Sequence, residues 1–187
     1  AYAQADQSQR NAIGFILTIY RKRLSSSFSA LARSLQGRLD RSIENDQFDL
    51  EEAGEETDAE SVENTEAAAR RLLEGAAITD ILADVARLPI DTKARALKSE
   101  LDQLKAEGFD QTMVFTGYTD TMDGLRDWLA EQTGREVICF SGRGGEIRTP
   151  EGGWKIVSRA EIKKRFRDGR GEILLCTDAA AEGLNFQ

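Results

Sequence analysis

The chain has 187 residues, 40% hydrophobic and 31% charged, enough for one α/β domain plus a helical appendage. No run approaches the roughly 20 apolar residues that cross a bilayer, and the polar start from Ala1 to Arg10 does not read as a secretory signal. Without histidine, and with only Cys139 and Cys176, histidine-based catalysis is excluded and neither a zinc site nor a disulfide scaffold is expected, which suits a reducing cytoplasm.

The net charge of −8 is unevenly spread. Residues 1–43 hold seven Lys or Arg against two acids, and Glu44 to Glu66 holds 11 acids with no Lys or Arg. One acidic tract therefore conceals a basic N-terminal segment, and local basic patches matter more than the total for contact with phosphates.

In chain order, Ile13, Ile16, Tyr20, Leu24, Phe28, Leu31, Leu35 and Leu39 step by three or four, a helical apolar stripe. Arg21, Lys22 and Arg23 form a basic cluster on it, and Ser25 to Ser27 is a place to break or recap the helix. Residues 44–66 lack apolar periodicity and repel themselves, so an acidic flexible linker is expected. A helical pattern follows through Leu72, Leu73, Ala76, Ile78, Ile81, Leu82, Val85 and Leu88, with Gly75 as a divider and Pro89 as the stop. Another helix, carrying Leu97, Leu101 and Leu104, ends near Gly108.

Beyond Gly108 the period changes. Met113 to Thr116 reads as a buried strand, then a helix capped by Asp120, carrying Leu125, Trp128 and Leu129, and closed by Gly134. Val137 to Phe140 is the next strand, and Ser141 to Gly153 a glycine-rich loop. A helix starts near Ser158, where Ser158 and Glu161 have capping-box spacing, with Ile162 and Phe166 facing inward. Glu172 to Cys176 is a third strand. Apolar strands alternating with helices predict a parallel sheet covered on both faces.

Ligands meet such sheets at the carboxyl ends of the strands. Two polar segments fall there: Thr116 to Asp120, and Thr177 to Asn185. Small residues admit a ligand to the backbone, and threonine hydroxyls and amides at a helix start hold phosphate oxygens. The plain alternative is a capped strand-to-helix turn. In the loop between them, Arg143, Arg148 and Lys155 have the reach for a phosphate backbone, and Trp154 either packs or stacks.

The segment "MVFTGYTDTMDGLRDWL" resembles helicase motif IV with its helix, and "ILLCTDAAAEGLNFQ" resembles motif V of Swi/Snf-type helicase-related ATPases of superfamily two. "GWKIVSRAEIKKRFRDG" is similar to the stretch between them, "IDTKARALKSEL" to the entry helix of the second lobe, and "YRKRLSSSFSALARSL" to the stretch before it in bacterial members. The likeness covers residues 90–187 well and 10–40 fairly, with 42–88 as a variable helical insertion.

That resemblance implies an α/β fold: a RecA-like parallel sheet flanked by helices, incomplete at its C-terminus, behind an all-helical extension. The expected division is a basic helical segment 1–43, an acidic linker 44–66, a helical insertion 67–88 and the second RecA-like lobe 89–187. The parent would couple ATP and Mg, bound mainly by a separate N-terminal ATPase lobe, to stepping along double-stranded DNA in the bacterial cytoplasm near the nucleoid, with no membrane involved. Thr177 would contact a phosphate of the tracked strand, with Thr116 and Gly117 near the backbone and Ser141, Gly142 and Arg143 as further contacts. Glu182, Gly183 and Asn185 would approach the nucleotide.

The phosphate-cradling Gly-x-x-x-x-Gly-Lys-Ser/Thr motif and an Asp-Glu-x-His/Asp motif are absent, and the chain reaches Gln187 before the family's arginine-finger motif. No catalytic residue and no metal ligand are therefore expected here, nor ATPase activity from this chain alone. The Glu-Gly-Leu-Asn form of motif V argues against an RNA helicase, whose usual pattern has Arg-Gly-Ile-Asp. A different class of answer is a non-catalytic interaction module that docks a protein through the helical and acidic region.

Overall fold

The computed structural model describes residues 7–44 and 75–177. The acidic tract beyond Glu44, the preceding Leu72 and Leu73, and Asp178 to Gln187 with Glu182, Gly183 and Asn185 lie outside the described residues. The chain divides into two units, Ala1–Pro89 and Ile90–Gln187.

The first unit contains α1 (Gln7–Ser26), α2 (Phe28–Glu44) and α3 (Gly75–Arg87). The break falls at Ser27, whose hydroxyl accepts from the Ala30 amide at 3.0 Å and so caps α2. Leu31, Leu35 and Ile78 form its core, with Tyr20, Leu39, Leu82 and Val85 packed around them. Leu24 departs from the expected stripe: it is 47% exposed, while Arg23 is buried in its place. Ile16, Tyr20, Arg23 and Ser27 follow the 3.6-residue period more closely than a stripe through Leu24, so the inward face passes through Arg23. Of the expected basic cluster only Arg21 and Lys22 remain at the surface. Helix α3 ends two residues before Pro89, as expected.

The second unit begins with α4 (Thr92–Ala106), capped by Asp91, whose carboxylate accepts from the Ala94 amide at 2.8 Å. Then follow β1 (Thr112–Thr116), α5 (Thr119–Thr133), β2 (Val137–Ser141), β3 (Gly144–Arg148), β4 (Trp154–Val157), α6 (Arg159–Arg167) and β5 (Ile173–Thr177). The sheet order is β1-β5-β2-β3-β4. β1, β5 and β2 are parallel, and β3 and β4 extend the sheet as an antiparallel hairpin.

The hairpin corrects the expectation of a loop from Ser141 to Gly153. Gly145 sits inside β3 because Ile162 of α6 packs directly on it; a Cβ there would lie 2.2 Å from Ile162 Cγ1. A second correction concerns Asp120, which lies in the first turn of α5 while the N-cap position is Tyr118, without a side-chain cap bond. Gly134 closes α5 in the left-handed conformation, φ 65°, as expected, and Ser158 caps α6 by accepting from the Glu161 amide.

Alternation along β2 and β5 sorts the core into two layers. Val137, Cys139, Ile173 and Leu175 join Leu101, Met122 and Leu129 on the side of α4 and α5. Ile138, Phe140, Leu174 and Cys176 join Ile162 on the side of α6. The β1–α5–β2 crossover moves outward past β5, and β2–α6–β5 returns. Crossovers of one hand running in opposite directions place their helices on opposite faces. Both faces are thus covered, which is why the central strands are apolar up to the hydroxyl residues that end them, Ser141 and Thr177.

Candidate functional site

The parallel register sets the site. Thr116, last in β1, is the partner of Thr177, last in β5. On the other side of β5, Phe140 pairs with Cys176, which brings Ser141, last in β2, level with Thr177. Three hydroxyl residues therefore end three adjacent parallel strands on one rim.

The residues that follow turn in a similar way. The Tyr118 amide donates to Thr116 Oγ1 at 3.5 Å, and the Arg143 amide donates to Ser141 Oγ at 3.2 Å. Each hydroxyl accepts from the amide two residues on, a turn that fixes its direction and leaves its own hydrogen for a ligand oxygen. Thr177 and Ser141 are buried, whereas Gly117 and Gly142 are exposed. Gly142 has no neighbour within 4 Å of a would-be Cβ and no positive φ. Neither packing nor backbone conformation demands glycine there.

Arg143 is the most heavily engaged of the expected contacts. It donates to both oxygens of Asp123, at 3.0 and 2.5 Å, and Nη2 lies 3.0 Å from Glu146. The hydrogen bond with Asp123 raises its pKa above the ordinary arginine value, so its charge is permanent. Arg148 and Lys155 are exposed on the hairpin. Trp154 packs rather than standing free: its Nε1 donates to Asp127 at 2.6 Å and its ring lies 4.8 Å from the Arg126 guanidinium.

Four residues escaped sequence reasoning. Asp123, Arg126 and Glu146 join Arg143 in one charge network. Arg159, at the start of α6, stacks over Phe140 at 5.3 Å, one residue below Ser141. The only local signal was the three-residue spacing of Asp123 and Arg126 on a helix; the partners sit about 20 residues away, where periodicity is silent.

Among the described residues no group of three or more Cys, Asp or Glu is placed to hold a metal ion. No helix among them is long and apolar enough to cross a membrane.

A sheet with three parallel strands, covered by helices on both faces and carrying a polar rim at its strand ends, defines a RecA-like α/β lobe. The model of the helicase conserved C-terminal domain matches residues 92–187, just over half of the chain. The chain belongs to that family: it is the C-terminal lobe of a superfamily-two helicase, part of an ATP-dependent enzyme. No curated protein matches the chain significantly.

Proposed function

We propose that this lobe belongs to a Swi/Snf-type translocase of the bacterial cytoplasm that steps along double-stranded DNA. In this reading the strand-end rim follows the phosphate backbone. The observation that carries it is the register: Thr116 and Thr177 are direct partners on adjacent parallel strands, with Ser141 level beside them. Hydroxyl hydrogens and turn amides at the rim present donors to phosphate oxygens. Gly117 and Gly142 let the backbone come close, and Arg143 supplies a fixed positive charge.

ATP and Mg would be held mainly by the N-terminal ATPase lobe of the same parent, with Glu182, Gly183 and Asn185 approaching the nucleotide from this side. The sequence lacks the glycine-rich phosphate cradle. Purified alone, the chain is expected to release no phosphate from ATP, with or without DNA.

Binding of a fluorescently labelled duplex, followed by anisotropy at several salt concentrations, tests the interface. Weak binding that tightens as salt is lowered is expected. Thr116→Val and Thr177→Val should weaken it equally on unrelated duplex sequences, because phosphate contacts carry no base information. Binding that is absent at every salt concentration would point instead to a protein-docking module built on the helical unit and the acidic tract.

A further inference from the structure

The charge network beside the rim has a feature that simple phosphate attraction does not require. Asp123 on α5 and Glu146 on β3 place two nearly buried carboxylates, 12% and 7% exposed, next to a surface meant for a polyanion. Alone they would repel it. Both are instead turned onto Arg143, whose side chain stays 46% exposed.

The network is braced from behind. Arg126 lies one turn from Asp123 on α5, 3.3 Å from its carboxylate, and also donates to Glu146. Trp154 of β4 backs Arg126 and is itself tied to Asp127. Helix α5 and the β3–β4 hairpin are therefore clamped together around Arg143. Its backbone amide at the same time fixes the Ser141 hydroxyl. Of its five N–H donors, two are taken by Asp123, while Glu146 lies 3.0 Å from Nη2 as an ion pair, which leaves three for a ligand.

We propose that Asp123 and Glu146 are positioning residues for nucleic-acid binding: they hold Arg143, and with it the Ser141–Gly142 turn, in the geometry that meets a phosphate. This rests on the rim being the nucleic-acid interface. It assigns the acids a role opposite to the one their charge alone predicts. Losing a negative charge beside a DNA-binding surface should tighten binding by bulk electrostatics. Losing a positioning carboxylate should weaken it.

Three variants of the full chain separate the two. Asp123→Asn removes the charge and half of the bidentate pair. Arg143→Lys keeps the charge but cannot bridge two carboxylates with a planar fork. Glu107→Gln removes an acid at the far end of the sheet, where α4 gives way to β1. Duplex binding is measured by anisotropy, with circular dichroism reporting the fold.

Asp123→Asn and Arg143→Lys are each expected to weaken binding by roughly tenfold, the worth of about one charge-assisted hydrogen bond. Arg143→Lys should leave the salt dependence unchanged, and Glu107→Gln should leave the affinity equal or slightly tighter. If Asp123→Asn loses the folded spectrum, Glu146→Gln, which also removes a carboxylate facing Arg143 but leaves Arg143 in place, is read instead and should weaken binding likewise. Unchanged or tighter binding in a folded Asp123→Asn, or in Glu146→Gln where that is read instead, would overturn the proposal, as would unchanged binding in Arg143→Lys. If Thr116→Val and Thr177→Val weaken binding in the same assay, the rim survives and only the positioning role falls. If the unmodified chain shows no salt-sensitive binding, both fall.

Discussion

Gly145→Ala is the sharpest structural test of how the hairpin and α6 are held beside the rim. The added Cβ would lie 2.2 Å from Ile162 Cγ1, 3.0 Å from its Cδ1 and 3.2 Å from Val157 Cγ2. Ile162 is wholly buried among Ile138, Phe140, Leu174 and Cys176, so it cannot swing aside and the helix must lift. Overpacking of this kind costs about 1–3 kcal/mol. Replacing glycine within a strand returns roughly 0.5–1 kcal/mol of chain entropy. The net expectation is a loss of about 1–2 kcal/mol. That corresponds to a fall in melting temperature of roughly 4–8 °C per kcal/mol for a unit of this size. Urea unfolding followed by circular dichroism reads the loss as a lower midpoint at constant slope. The double variant isolates the cause. With Ile162→Ala the obstructing atoms are gone, and Gly145→Ala should then be neutral or stabilising. An equal cost in both backgrounds would refute direct packing of Ile162 on Gly145.

Three further outcomes follow from local features. Gly134→Ala at φ 65° meets no neighbour within 4 Å, so its cost is conformational alone, about 1–2 kcal/mol, read by the same unfolding experiment. Cys139 and Cys176 are both fully buried; burial raises the Cys139 thiol well above 9.0 and the Cys176 thiol to about 12. At pH 9.0 iodoacetamide should leave both unlabelled until the chain unfolds, as mass spectrometry would show; rapid labelling of the native protein would contradict this burial. For Glu172, burial pushes the pKa upward, but hydrogen bonds from Lys105 and from the Glu136 amide outweigh it, so the carboxyl sits below its ordinary 4.5. A depressed folded pKa adds stability that is present above 4.5 and lost as pH falls through the folded value. The stability gap between the unmodified chain and Glu172→Gln should therefore close below that pH; a gap that widens there would have the sign wrong.

The central strands were legible in the sequence because their environment is uniform. Val137 to Phe140 and Ile173 to Cys176 are covered on both faces, so an unbroken apolar run was a reliable sign. The adjacency of Thr116 and Thr177 followed from the same pattern, since a parallel sheet aligns its strand ends. The β3–β4 hairpin was not legible. Gly144 and Gly145 look like a loop, and the approach of Ile162 that makes glycine necessary is a tertiary contact. Leu24 misled for a related reason: a stripe in steps of four suits one continuous helix, but the chain breaks at Ser27 and buries Arg23 instead. Asp120 looked like a cap because its side chain is the usual type; the chain places the boundary two residues earlier, at Tyr118. The charge network was invisible because Asp123 finds Arg143 across a strand and a turn, a distance at which neither periodicity nor spacing speaks.

The most direct test of the nucleic-acid rim is a titration of the isotopically labelled chain with a short duplex, followed by amide chemical shifts. The largest changes are expected at Gly117, Tyr118, Gly142, Arg143 and Thr177, fading as salt is raised. Changes confined to the helices of the first unit, with the strand ends unmoved, would contradict a nucleic-acid interface at the rim.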